Sequence, residues 1–219
     1  MTAVSDPPHR NGGDRHSGAR LLALALAACV ALAACGEKPP ALPPLSPQDV
    51  VLAFGDSLTF GTGAGPGESY PAVLERLIGR KVVAAGVPGE VSASGRARLA
   101  GALDAAAPTL LILCHGGNDL LRRLDEGELA ENLRAMIGLA RSRGVGVVLV
   151  AVPKPGLFPD AHPVYAAVAG ELRVPLERDA LKAILTDNAL KSDPIHPNAR
   201  GYARLAEAVA NLLRAAKAL

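Results

Sequence analysis

Four short segments carry residue types able to do chemistry together. The first is Gly55-Asp56-Ser57-Leu58, directly after an apolar run. A serine in a strand-to-helix turn is exposed and close to backbone N–H donors, which suits a nucleophile, although Asp-Ser also serves simply to turn and cap a chain. The second, Gly86-Val87-Pro88-Gly89, is turn sequence that can bring a backbone N–H close to a substrate oxygen. In the third, Gly116-Gly117-Asn118-Asp119, the Asn118 amide can aim at a developing oxyanion, and Asn-Asp after Gly-Gly is equally ordinary turn chemistry. The fourth is Asp193-Pro194-Ile195-His196-Pro197. Its prolines keep it rigid and non-helical, so the Asp193 carboxylate can hold the Nδ1–H of His196 and leave Nε2 free as a base. A serine hydroxyl is a poor nucleophile near neutral pH, and such a pairing is what activates it.

The elements around these segments alternate. Residues 50–54 are a short continuous apolar run ended by Gly55, the pattern of a buried strand. Ser69 can cap a helix with Val73, Leu74, Leu77 and Ile78 on its apolar face. Further strands are expected at 81–84, 109–114 and 145–152, and helices at 92–106, around 129–140, at 161–172 and at 198–216. Gly95 and Gly101 weaken the helix at 92–106. Strands without polar alternation, separated by amphipathic helices, imply a parallel sheet covered on both faces. Ligands bind at the carboxyl ends of such strands, where the first three segments fall, and the fourth stands ahead of the last helix.

Each segment is a weak signal alone. In this order, Gly-Asp-Ser-Leu, a glycine loop, Gly-Gly-Asn-Asp and Asp-x-x-His resemble the GDSL esterases of the SGNH hydrolase superfamily, over roughly residues 50–215. The pattern is most similar to the small bacterial members, among them arylesterases and acyl-CoA thioesterase I/lysophospholipase. The resemblance implies a flavodoxin-like three-layer α/β/α sandwich with a mostly parallel sheet, and no metal or other cofactor. It also implies Ser57 as nucleophile, His196 as base and acid, Asp193 as its orienter, and an oxyanion hole of the Ser57 N–H, the Gly89 N–H and the Asn118 side chain. An asparagine frequent before the second block is Ala84 here. The expected activity is two-step hydrolysis of a small acyl ester or thioester through an acyl-enzyme. A deacetylase of cell-wall or exported polysaccharide and a non-catalytic lipoprotein binding module are the alternatives.

Composition narrows the remaining choices. With 49% hydrophobic and 20% charged residues over 219 positions, the chain is globular. A net charge of +2 without a basic block gives a nucleic-acid surface no support. Aromatic residues at 3% also disfavour a stacking platform for sugars. No P-loop and no His-Glu-x-x-His is present. Arg10, Arg15 and Arg20 precede an unbroken apolar run from Leu21 to Ala34, too short to span a bilayer and built like a secretory signal. Its end, Leu32-Ala33-Ala34-Cys35, resembles the bacterial lipobox, which implies cleavage after residue 34 and a lipidated Cys35; Leu26-Ala27-Ala28-Cys29 fits less well. Residues 35–48, with five prolines, read as a stiff tether ahead of a hydrolase domain at 49–219. A monomer lipid-anchored in the bacterial envelope, facing the periplasm and preferring the outer membrane, is therefore expected. Cys114, in an apolar strand, reads as an inert buried thiol. Phe60, the glycine-rich loop 61–67 and Phe158 can shape the pocket, the loop as a mobile segment beside the serine.

Overall fold

The strands form where the apolar runs lie. A computed structural model describes residues 1–3, 38–154, 156 and 160–219. In chain order its first half runs β1 (Val51–Gly55), α1 (Ser57–Phe60), α2 (Tyr70–Ile78), β2 (Val82–Gly86), α3 (Ser92–Ala106) and β3 (Leu110–Cys114). The second half runs α4 (Gly117–Leu121), α5 (Glu126–Ser142), β4 (Gly146–Val150), α6 (Pro163–Leu172), β5 (Leu176–Glu177), α7 (Ala180–Thr186) and α8 (Ala199–Ala215). All pairings are parallel, in the order β2-β1-β3-β4-β5. Residues of β1 and β3 are buried along their whole length, and those of β4 from Val147 on, which is why these strands lack polar alternation. α2 packs on α8, and α3 on α5, so helices cover both faces as right-handed crossovers require. The expected α/β/α sandwich is the observed fold.

Helix boundaries obey local chemistry. Asp125 caps α5 by accepting the Glu128 N–H at 2.8 Å, and Asn198 caps α8 through the Gly201 N–H at 3.1 Å. Ser69 stands at the start of α2 as expected, but its side chain makes no capping bond. Cys114 is fully buried, and burial pushes its thiol well above the ordinary range, as an inert thiol requires.

Two expectations change. The packed unit begins at Pro39, not at 49. The Leu42 N–H donates to the Ala216 carbonyl at 2.8 Å and the Leu45 N–H to the Ala218 carbonyl at 2.9 Å. Leu45 is buried, and Arg80 holds its carbonyl at 2.9 Å. The prolines keep this stretch from folding back, yet its two leucines find apolar partners and its amides satisfy carbonyls at the end of α8. Loop 61–67 is not free either. The Tyr202 hydroxyl donates to the Thr62 carbonyl at 2.8 Å, and Gly63 packs against Ser192 and the Pro197 carbonyl. The loop is a strut under the Asp193–His196 turn. Cys29, Cys35 and the apolar run before Cys35 lie outside the described residues, as does Phe158.

Candidate active site

β1 delivers the serine. Its last residue leads into Asp56, the buried N-cap of α1, whose Oδ1 accepts the Leu58 N–H at 3.0 Å. Burial raises the Asp56 carboxyl above its ordinary range, against the opposing pull of His115. Ser57 opens α1, and Gly86 lets the end of β2 close up beneath this turn: a Cβ there would meet the backbone of Phe60, Thr59 and Asp56.

The Ser57 Oγ lies 3.1 Å from His196 Nε2, and His196 Nδ1 lies 2.7 Å from Asp193 Oδ2. The other carboxylate oxygen, Asp193 Oδ1, accepts the N–H groups of Ile195 and His196, each at 2.8 Å. Burial opposes ionisation of Asp193, but these three hydrogen bonds outweigh it and hold the carboxyl below the usual range. An ionised carboxylate only accepts, so the ring proton sits on Nδ1 and Nε2 is left to accept from the serine hydroxyl. The turn is held from outside by Ser192, whose N–H donates to the His196 carbonyl at 2.9 Å, and by Asn198, whose amide reaches the Ala189 carbonyl at 3.0 Å.

Asn118 comes from α4, after Gly116 at a φ of 108°. Its Nδ2 donates to the Glu90 carbonyl at 2.9 Å, with Asp56 Oδ2 at 3.4 Å. The amides of Ser57 and Gly89 donate to no acceptor among the described residues. Ser57, Asn118 and His196 all line a cavity of about 500 Å³. Gly89 does not line it; its carbonyl is held by Arg122 at 2.8 Å, and its neighbour Glu90 is what touches Asn118. Leu58, Leu121, Val152, Leu185 and Ile195 make the cavity wall apolar, with Lys191 beside them. Leu121 and Lys191 carry no signal in the sequence; Leu185 belongs to the Leu181, Ile184, Leu185 stripe that marks α7.

The remaining described histidines are structural. His115 is fully buried and bonds Glu90 at 3.0 Å, away from the cavity lining. His162, for which the sequence offers no obvious carboxylate partner, pairs with Glu126 at 3.1 Å and caps α6.

Known proteins resemble this chain in both sequence and fold. The GDSL-like Lipase/Acylhydrolase family matches residues 53–204. Esterase TesA of Pseudomonas aeruginosa is 30% identical over 198 residues, covering 85% of this chain and 95% of the relative. An arylesterase of Vibrio mimicus is 27% identical over 205 residues, covering 89% of this chain and 97% of the relative. The crystal structure of TesA superposes with a TM-score of 0.70 at 29% identity, over 76% of this chain and 99% of the other. The chain belongs to the GDSL-like lipase/acylhydrolase family and is a serine ester hydrolase.

Proposed function

We propose that the chain hydrolyses acyl esters and thioesters with Ser57 as nucleophile, His196 as general base and acid, and Asp193 as its orienter. The observation that carries this reading is the continuous hydrogen-bonded line from Ser57 through His196 to Asp193 at the mouth of an apolar cavity. Nε2 takes the hydroxyl proton as Oγ attacks the acyl carbonyl, and returns it to the departing alcohol or thiol. A water deprotonated by the same nitrogen then cleaves the acyl-enzyme. The developing oxyanion is met by the Asn118 amide and the Ser57 N–H, both from residues that line the cavity, while the Gly89 N–H, from a residue outside that lining, is the third donor the family resemblance implies.

The apolar cavity of about 500 Å³ supports acyl chains longer than acetyl, which would leave most of that wall uncovered. Asn118→Ala is expected to lower kcat on a p-nitrophenyl ester by about 10²- to 10³-fold, the scale of one lost oxyanion donor. A panel from acetate to decanoate esters, with the matching acyl-CoA thioesters, tests the substrate class. Acetate release from acetylated glycan without turnover of longer acyl esters would reverse it.

We also propose that the chain acts as an envelope lipoprotein, acylated on Cys35. Support comes from the arginine-flanked apolar run and Leu32-Ala33-Ala34-Cys35, with Gly36 in place of an aspartate retention signal favouring the outer membrane. Cys35→Ser is expected to move the protein from the membrane to the soluble fraction. A mature N-terminus without diacylglycerol on Cys35, read by mass spectrometry, would refute the anchor.

A further inference from the structure

Glu90 lies outside the pattern that marks the site, yet its side chain is only 8% exposed and it carries a charge. Arg98 grips it as a fork: Nε donates to Oε1 at 2.7 Å, and Nη2 to Oε2 at 2.7 Å. His115 completes the enclosure. Its Nδ1 accepts the Gly116 N–H at 3.0 Å, so in the neutral ring the proton is on Nε2, which donates to Glu90 Oε2 at 3.0 Å. The ring fits because α3 presents Gly95 to it; a Cβ there would press on the imidazole. That contact accounts for a glycine that otherwise weakens the helix. Burial works against the Glu90 charge, but Arg98 and His115 outweigh it and hold the carboxyl below its ordinary range.

The same Arg98 Nη2 donates to the carbonyls of Gly55 and Ala85, at the carboxyl ends of β1 and β2, both at 3.0 Å. Its guanidinium also lies 3.9 Å over the Phe54 ring. The cluster therefore ties Glu90 to the strand end that presents Ser57. What it fixes is the Glu90 backbone, whose carbonyl accepts the Asn118 Nδ2–H at 2.9 Å.

We propose that Glu90 is the positioning residue of the oxyanion donor: its carboxylate, locked by Arg98 and His115, sets the carbonyl that orients the Asn118 amide. The inference rests on the reading of Asn118 as an oxyanion donor. An amide has two N–H groups. The one held by Glu90 fixes the amide plane; the other, whose nitrogen has Asp56 Oδ2 at only a long 3.4 Å, is the one a substrate oxygen can take over. Without that hold, the broad terminal torsion of asparagine lets the amide close on Asp56 Oδ2, now a long 3.4 Å away, and turn from the substrate oxygen. Misalignment of this kind weakens transition-state binding and leaves ground-state binding alone, so it lowers kcat and not KM.

The test is a double-mutant cycle with Glu90→Gln and Asn118→Ala, read as kcat and KM on p-nitrophenyl butyrate. Glu90→Gln keeps the length of the side chain but sets an N–H pair against the Arg98 and His115 donors. It is expected to lower kcat about 10-fold or more with KM within about twofold. In the Asn118→Ala background it is expected to cost nothing further. Multiplying losses, a raised KM at unchanged kcat, or no effect of Glu90→Gln would overturn the proposal. An Asn118→Ala variant with unchanged kcat would instead remove the oxyanion reading itself. Should Glu90→Gln fail to fold, Arg98→Lys, which keeps the charge and loses the fork, carries the same cycle to the same outcomes.

Discussion

Ser57→Ala is expected to lower kcat by about 10³-fold or more while leaving the fold intact. The two halves of that expectation rest on different atoms. The Ser57 carbonyl accepts the Gly61 N–H at 3.0 Å and the Thr62 N–H at 3.1 Å, and both bonds survive in alanine. The Oγ makes its side-chain hydrogen bond to His196 Nε2, the atom that removes its proton in the reaction. Truncation therefore deletes the nucleophile and little else, and thermal unfolding is expected to stay within about 0.5 kcal/mol of the parent. What remains is the catalysis supplied by the oxyanion donors and by binding alone, because nucleophile and base act as a unit. Fluorophosphonate labelling of residues 36–219 reads the same atom covalently: the parent is labelled at Ser57 and the alanine variant is not. A variant that keeps more than about a tenth of the parent kcat would end the assignment of Ser57. A folded parent that takes no label would return the chain to the non-catalytic alternative.

Ser57, Asp193 and His196, which the structure brings into one hydrogen-bonded line, are legible in the sequence through the order of four segments and not through any one of them. Two of those segments are also locally constrained. A strand stopped by Gly55 must turn there, a turn that buries Asp56 and leaves Ser57 partly exposed, and a turn bracketed by Pro194 and Pro197 has few shapes. The central strands are legible because burial on both faces removes alternation. What escapes is what depends on partners distant in the chain. Glu90, Arg98 and His115 come from a loop, a helix and a strand end, and no periodicity links them. Two residues of β5 are too short a run to register, and their pairing is set by Leu149 and Val150. Glycine and proline carry a further ambiguity, since the same residues serve a mobile hinge and a close contact. Gly63 against Ser192, and Leu45 under Arg80, decide for contact in each case. The helix α7 also escapes: its Leu181, Ile184, Leu185 stripe sits at helical spacing, but seven residues show too little of the period to stand out, and no helix is expected there.

Asp193→Asn is expected to cost more activity than Asp193→Ala, and the reason lies in how the two carboxylate oxygens are used. Oδ1 faces two donors, the N–H groups of Ile195 and His196, so any residue of this shape must place an acceptor there. In asparagine the amide oxygen takes that place, and the NH₂ group is left facing His196 Nδ1. Two donors cannot share that contact, so the neutral ring moves its proton to Nε2 and loses the lone pair that accepts from Ser57. The loss expected is on the order of 10⁴-fold in kcat, the scale at which a wrong imidazole tautomer disables a serine hydrolase of unrelated fold. Alanine removes the orienter without reversing the tautomer. Asp193 is 44% exposed at its side chain, so water can reach Nδ1 and accept from it. Nε2 then stays free, and the expected loss is on the order of 10²-fold, mostly from a looser ring. The Ile195 and His196 amides also lose their acceptor and are left to water, so the alanine variant is expected to be the less stable while being the more active. Measuring kcat and thermal midpoint for both variants separates the two effects. Equal losses, or alanine below asparagine in kcat, would mean that Asp193 acts through its charge alone and that the tautomer is set elsewhere.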